Sequence, residues 1–248
     1  PDDVNRFWDS KGIDVFHGDD ETSYHIHLLY TTAAKGINFS GTNNFITRTT
    51  NGNLYVTDVQ AIYESTDNGD TWTAMTGTGI TKDITGIAHF GNDLYITTAT
   101  GHSANDFIHY QPGGHGWSIH NTAFTGGLTG VWFVKNTLFV AGNDGTAEYI
   151  WEGNPFDDSW ASDFNTSDSI IEVEPTHQIT SVIDAGAVVL AASTDGNVYS
   201  FKLSSGVFVN QGQSTIPFEE VYSLAANEGI IFIGTKESGG NSTGVGRF

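Results

Sequence analysis

Apolar residues along this chain come in short runs of three to five, separated by clusters of Gly, Asn, Asp, Ser and Thr. That texture predicts many short strands joined by tight turns. No stretch carries an apolar stripe at helical spacing. Four pairs of runs share one register, the second run beginning ten residues after the first. Ile84-Thr85-Gly86-Ile87 leads to Leu94-Tyr95-Ile96, and Leu128-Thr129-Gly130-Val131 leads to Leu138-Phe139-Val140. Ile179-Thr180-Ser181-Val182 leads to Val189-Leu190-Ala191, and Val221-Tyr222-Ser223-Leu224 leads to Ile231-Phe232-Ile233. A weaker fifth copy precedes them, with Asn51-Gly52-Asn53 between Phe45-Ile46-Thr47 and Leu54-Tyr55-Val56. Asn-Gly between apolar runs is a strong hairpin signal.

A third strand follows each hairpin: Ile62-Tyr63, Phe107 to Tyr110, Glu148 to Trp151 and Asn197 to Phe201. Trp72, Trp117, Trp160 and Val207-Phe208-Val209 mark the fourth. The repeat recurs at intervals of 44, 51 and 42 residues, counted between Ile84, Leu128, Ile179 and Val221. Four antiparallel strands in such an interval make one β-propeller blade. The expected fold is therefore all-β, a single propeller domain over residues 1–248. Its five blades lie near 36–77, 84–121, 128–163, 179–212 and 221–248. The last has room for three strands, ending in Gly244 to Phe248. One of Arg6-Phe7-Trp8, Ile13 to Phe16 or Tyr24 to Tyr30, within the closing segment 1–35, is expected to complete it and close the ring. Closure would hide edges that otherwise invite aggregation. Six blades result if residues 1–40 form most of a blade of their own.

The stretch Ser65-Thr66-Asp67-Asn68-Gly69-Asp70-Thr71-Trp72 reads as a tight turn between two strands. The Asp67 carboxylate can accept backbone N–H groups further along. Gly69 can take positive φ, and Trp72 can anchor the turn on a neighbouring surface. The pattern Ser-x-Asp-x-Gly-x-Thr-Trp resembles the Asp-box, or BNR repeat, of many β-propellers, sialidases among them. The resemblance implies a structural role for Ser65, Asp67, Gly69, Thr71 and Trp72, not a catalytic one. Asn143-Asp144-Gly145 and Asp195-Gly196-Asn197 look like ordinary tight turns.

Charge narrows the partners. Nine Lys plus Arg face 29 Asp plus Glu, a formal net charge of −20. Nucleic acid and anionic membrane surfaces call for the opposite sign. The scattered acids fit a solvating surface, either of a secreted or particle-borne protein or of one working in high salt. The chain has no cysteine, hence neither disulfides nor thiolate metal sites. No signal-peptide h-region and no run of membrane-spanning length is visible. A start at Pro1 reads as a processed product or a fragment.

Candidate chemistry is sparse. A sialidase would need three arginines on the substrate carboxylate, and the chain has Arg6, Arg48 and Arg247 without an Arg-Ile-Pro motif. Other glycosidases need two carboxylates at a set separation, which 29 acids do not single out. His25 and His27 share one strand face, while His102, His109, His115 and His120 match no ligand spacing. Calcium could sit in acidic turns such as Asp19-Asp20-Glu21 or Asp157-Asp158, and no EF-hand loop is present. Nucleophile elbows and phosphate-cradling loops are missing. Trp117, Phe156 and Trp160 could stack on sugar rings or serve as blade anchors. These features point to a non-enzymatic structural or recognition module without a required cofactor or metal. It would be displayed on a virion, tail appendage or cell surface, meeting a glycan or protein receptor and other subunits of an assembly. A glycan hydrolase or lyase in the propeller mouth and a secreted lectin-like propeller are the alternatives.

Overall fold

The computed structural model describes residues 13–14, 27–28, 45–99, 107–112, 116–120, 126–153, 171–173, 176–205, 207–216, 219–227, 229–237 and 243–247. These residues form strands and turns, with no helix among them. A short antiparallel pair comes first, β1 (Ile13–Asp14) with β2 (His27–Leu28). The first four-stranded meander is β3 (Ile46–Arg48), β4 (Leu54–Asp58), β5 (Ala61–Ser65) and β6 (Thr73–Ala74). The second is β7 (Ile84–Phe90), β8 (Asp93–Thr98), β9 (Phe107–Gln111) and β10 (Gly116–His120). The third is β11 (Leu128–Val134), β12 (Thr137–Asn143), β13 (Glu148–Gly153) and β14 (Ile171–Val173). The fourth is β15 (Ile179–Asp184), β16 (Val189–Ser193), β17 (Asn197–Ser204) and β18 (Val207–Thr215). The fifth sheet has three strands among the described residues, β19 (Glu219–Asn227), β20 (Ile230–Glu237) and β21 (Thr243–Arg247).

All the pairings are antiparallel, and every hairpin read from the ten-residue register is present. Consecutive sheets pack through their first strands, β3 on β7, β7 on β11, β11 on β15 and β15 on β19. Apolar residues fill each junction. Tyr55 and Ile62 meet Ile84, Leu94 and Ile108 between the first two sheets. Tyr95 meets Leu128, Leu138 and Trp151 at the next. Phe139 and Ile150 meet Val189, Phe201 and Phe208 at the third, and Ala192 and Val198 meet Val221 and Ile233 at the fourth. Burying one such large side chain contributes about 1.5–3 kcal/mol, so these junctions hold the sheets in place.

The structure adds a detail the alternation does not announce. Each of β7, β11, β15 and β19 carries a β-bulge at the same place, at Thr85, Thr129, Thr180 and Tyr222. The extra residue turns its side chain out of the alternation. The Thr85 hydroxyl donates to the Leu128 carbonyl of the next sheet at 2.8 Å, and Thr180 donates to the Val221 carbonyl at 2.8 Å. The repeated Thr is thus a clasp between neighbouring sheets.

The third sheet differs from the sequence expectation at its outer edge. Its fourth strand is Ile171–Val173, beyond the 128–163 assigned to that blade, while Trp160 lies outside the described residues. The extra residues of the longest repeat interval precede this strand. At the N-terminus, the described strands β1 and β2 pair with each other and not with β21. No fourth strand of the fifth sheet is among the described residues.

Candidate functional site

Two places bring chemistry-bearing side chains together. The first is the β5–β6 turn, where Ser65, Asp67, Gly69, Thr71 and Trp72 close a compact network. Buried Ser65 donates from Oγ to Asp67 Oδ1 at 2.8 Å and accepts the Gly69 N–H at 2.8 Å. Asp67 Oδ1 accepts the Thr71 N–H at 2.8 Å, and Oδ2 accepts the Thr71 hydroxyl at 2.6 Å. Trp72 Nε1 donates to the Gly69 carbonyl at 3.1 Å. Gly69 has φ of 91°, which a side chain would strain. Donors from Thr71, then Ser65, hold the Asp67 carboxyl at a pKa of about 2. All of these acceptors and donors are used within the turn, which leaves the network little to offer a ligand.

Asp144 and Asp195 make simpler turns. Asp144 Oδ1 accepts the Thr146 N–H at 2.7 Å, and Asp195 Oδ1 accepts the Asn197 N–H at 2.8 Å. Both join the second strand of a sheet to the third, at the opposite end from the Asp67 turn. In an up-and-down meander the third-to-fourth connection lies at the end of the first hairpin turn. Arg48, at the end of β3, accordingly reaches Asn68 Oδ1 from Nη2 at 3.3 Å.

The second place lies between the first strands of four consecutive sheets. A cavity of about 220 Å³ is lined by Thr47 of β3, Ile87 to His89 of β7, Val131 to Val134 of β11 and Val182 of β15. All four strands are the first of their sheets. Thr47 Oγ1 and His89 Nδ1 lie 2.8 Å apart in a hydrogen bond. Burial pushes the pKa of the His89 imidazole down. Phe133 stacks at a tilt on Phe90, ring centroids 4.8 Å apart. Trp132 packs over Gly130, where an added Cβ would stand 2.4 Å from its ring. Among the described residues the lining is apolar, aromatic and hydroxylic, with one imidazole and no carboxylate. Sequence reasoning missed these residues. The available signal was an aromatic or His near the end of β7 and β11, and alternation alone does not tell a cavity lining from an interface.

A buried acid lies outside this lining. Glu148 opens β13 and is fully buried. Thr129 donates its hydroxyl to Glu148 Oε1. Glu148 Oε2 has no partner of full hydrogen-bond geometry, although the Ile179 N–H and the Asn143 side chain pull the carboxyl back toward ionisation. Burial outweighs them and raises the pKa to about 7. At this junction a carboxyl stands between the bulged Thr and the next sheet, where Thr85 and Thr180 reach a backbone carbonyl directly.

The other sequence candidates separate. Trp117 of β10 stacks on Tyr110 at 4.3 Å and packs against the junction of the first two sheets, as an anchor. Phe156, Trp160, Asp157-Asp158, Asp19-Asp20-Glu21, Arg6 and His25 lie outside the described residues. His109 is buried, stacked on Tyr95 at 4.6 Å, with Nε2 3.2 Å from Asp93 Oδ2. No group of three or more metal-ligating side chains occurs among the described residues.

Among solved structures the chain is similar to YCF48 bound to a D1 peptide, with TM-score 0.53 and 15% identity over 92% of this chain and 68% of that one. It is also similar to the extracellular domain of the putative one-component system BT4673 from B. thetaiotaomicron, with TM-score 0.54 and 13% identity. That likeness covers 79% of this chain and 26% of the other. Both are β-propeller proteins, and at these identities the likeness is one of fold. No protein-family model and no curated protein sequence matches the chain.

Proposed function

We propose that this propeller is a non-enzymatic recognition module whose axial mouth receives a protein or glycan receptor. The observation that carries this reading is the mouth itself: Trp132, Phe133 and Val182 supply an apolar wall, and the Thr47–His89 pair supplies one directional polar contact. Apolar walls with few convergent polar groups are the usual make-up of a binding site. Glycoside hydrolysis would ask for a carboxylate pair in this place. A structural likeness to a propeller solved with a peptide supports a protein ligand. The ring is closed by the N-terminal segment, and the Asp67 turn is an Asp-box that steadies the rim. The acidic surface is consistent with a module displayed outside a cell or on a virion, in an assembly of many copies that bind by avidity, and it suits high salt. Calcium in the acidic loops is compatible with this role and not required by it.

The test is an immobilised full chain screened against displayed peptides and a glycan array. His89→Ala and Thr47→Val are expected to weaken the selected ligand at least tenfold with little change in melting temperature. Asp67→Ala is expected to leave affinity unchanged. Unaltered binding by both mouth variants would overturn the assignment of the mouth.

A further inference from the structure

The junctions between sheets are filled from the third strand as well as the second. Opposite Ile96, Val140 and Ala191 the register places Ile108, Trp151 and Tyr199, all buried. Opposite Ile233, the matching position of the fifth sheet, it places Gly246. The repeat supplies no third-strand side chain here, and a cavity of about 320 Å³ lies between the fourth and fifth sheets. Leu190, Val198, Ile231 and Ile233 make its apolar wall, and Ser200, Gln211, Gln213 and Ser214 its polar edge. Among the described residues no charged side chain lines it. The cavity runs along β18, which is nine residues long, against two, five and three for the outermost strands β6, β10 and β14. Val209 to Thr215 are exposed, and no strand among the described residues pairs with the outer edge of β18. Short, covered or charged edges are the usual protection against strand addition, and this one is long and carries amides and hydroxyls. The Ile216 N–H donates inward to the Gly196 carbonyl at 2.8 Å. By the alternation of an antiparallel ladder, Gln213 and Thr215 turn their N–H and C=O groups outward. The bulge that skips Gln211 ends this regular edge.

We propose that β18 and this cavity form a second binding site, which takes an extended segment of a partner protein. The segment pairs its main chain with Gln213 and Thr215 and inserts one large uncharged apolar side chain into the cavity, at the junction where the third strand supplies none. Strand addition, with alternate side chains seated in pockets, is a recurring mode of peptide recognition. The lining has no charge to balance an ionised side chain, and the net charge of −20 favours Lys or Arg flanking the inserted residue. The same charge sets two copies of the chain against each other, which argues against the β18 of a second copy as the occupant. The site is separate from the Thr47–His89 cavity and independent of what that cavity binds.

The test titrates the full chain into fluorescein-labelled heptapeptides Lys-Thr-Thr-X-Thr-Thr-Lys and reads anisotropy. Peptides with Phe, Trp or Leu at X are expected to bind about tenfold or more tightly than those with Asp or Lys. Ser200→Phe fills the cavity from β17, and Gln213→Pro removes an outward N–H without touching the pairing to β17. Each is expected to weaken the Phe peptide about tenfold, with little change in melting temperature. No binding, equal affinity across X, or unaltered binding of the Phe peptide by Ser200→Phe would overturn the proposal. Weakening by His89→Ala in place of Ser200→Phe would put the peptide in the Thr47–His89 cavity and overturn it too. Loss with Ser200→Phe but not with Gln213→Pro, and full competition by free indole, would overturn it in favour of a small apolar ligand. A doubled mass in light scattering that Gln213→Pro abolishes would overturn it in favour of a second copy.

Discussion

Two acids show how environment sets a residue's contribution. Asp67 has a folded pKa of about 2 against an ordinary 3.8, because Thr71 and Ser65 donate to its carboxylate. A depressed pKa stabilises the fold fully above the unfolded value and is lost as pH falls through the folded one. Asp67→Ala should therefore lower the melting temperature at pH 7, and calorimetry should show the difference from wild type shrinking as pH approaches about 2. Glu148 runs the other way, with burial raising its pKa from 4.5 to about 7. The folded state then holds the proton longer, so stability falls as pH rises from 4.5 to 7 and levels off above. At about 1.4 kcal/mol per unit, the shift amounts to about 3 kcal/mol. Glu148→Gln should gain roughly that much on wild type between pH 4.5 and 8, read from urea midpoints at each pH; parallel pH profiles would contradict it. The Asp67 turn was legible in the sequence because its residues are contiguous and each has a local task. Glu148 was not, since its burial comes from Thr129 and Ile179, which lie on other strands.

At the scale of the element, the ten-residue register carried most of the information. Its run lengths and turn residues made the hairpins readable, including the Lys135-Asn136 turn, whose φ values of 51° and 61° fit a two-residue hairpin loop. The bulges at Thr85, Thr129, Thr180 and Tyr222 escaped, although the residues repeat plainly. A bulge breaks alternation by one residue, and at Thr85 and Thr180 the displaced hydroxyl meets a carbonyl on the next sheet some 40 residues away. Thr85→Val and Thr180→Val each remove one such clasp while keeping the shape. Each should cost about 1 kcal/mol in urea unfolding, and the double variant should be additive because the sites are at separate junctions. A change within about 0.3 kcal/mol for both would deny the clasps a role.

For the whole molecule, sheet order and face-to-face packing follow from the repeat, while the position of the mouth follows from which strand of each sheet lies innermost, a property no single run reveals. The net charge of −20 sets the surface against itself. Melting temperature should rise from about 0.01 M to about 1 M salt as the screening length shortens, and a flat profile would remove the argument for adaptation to salt. The proposed function rests on the cavity lined by Thr47, His89, Trp132 and Phe133. The most direct measurement incubates the full chain with its array-selected ligand and follows both complex and ligand mass over time by native mass spectrometry. A saturable complex, abolished by His89→Ala, with the ligand recovered intact, is the expected result. Cleaved or eliminated product that disappears on substitution of a carboxylate pair would contradict it.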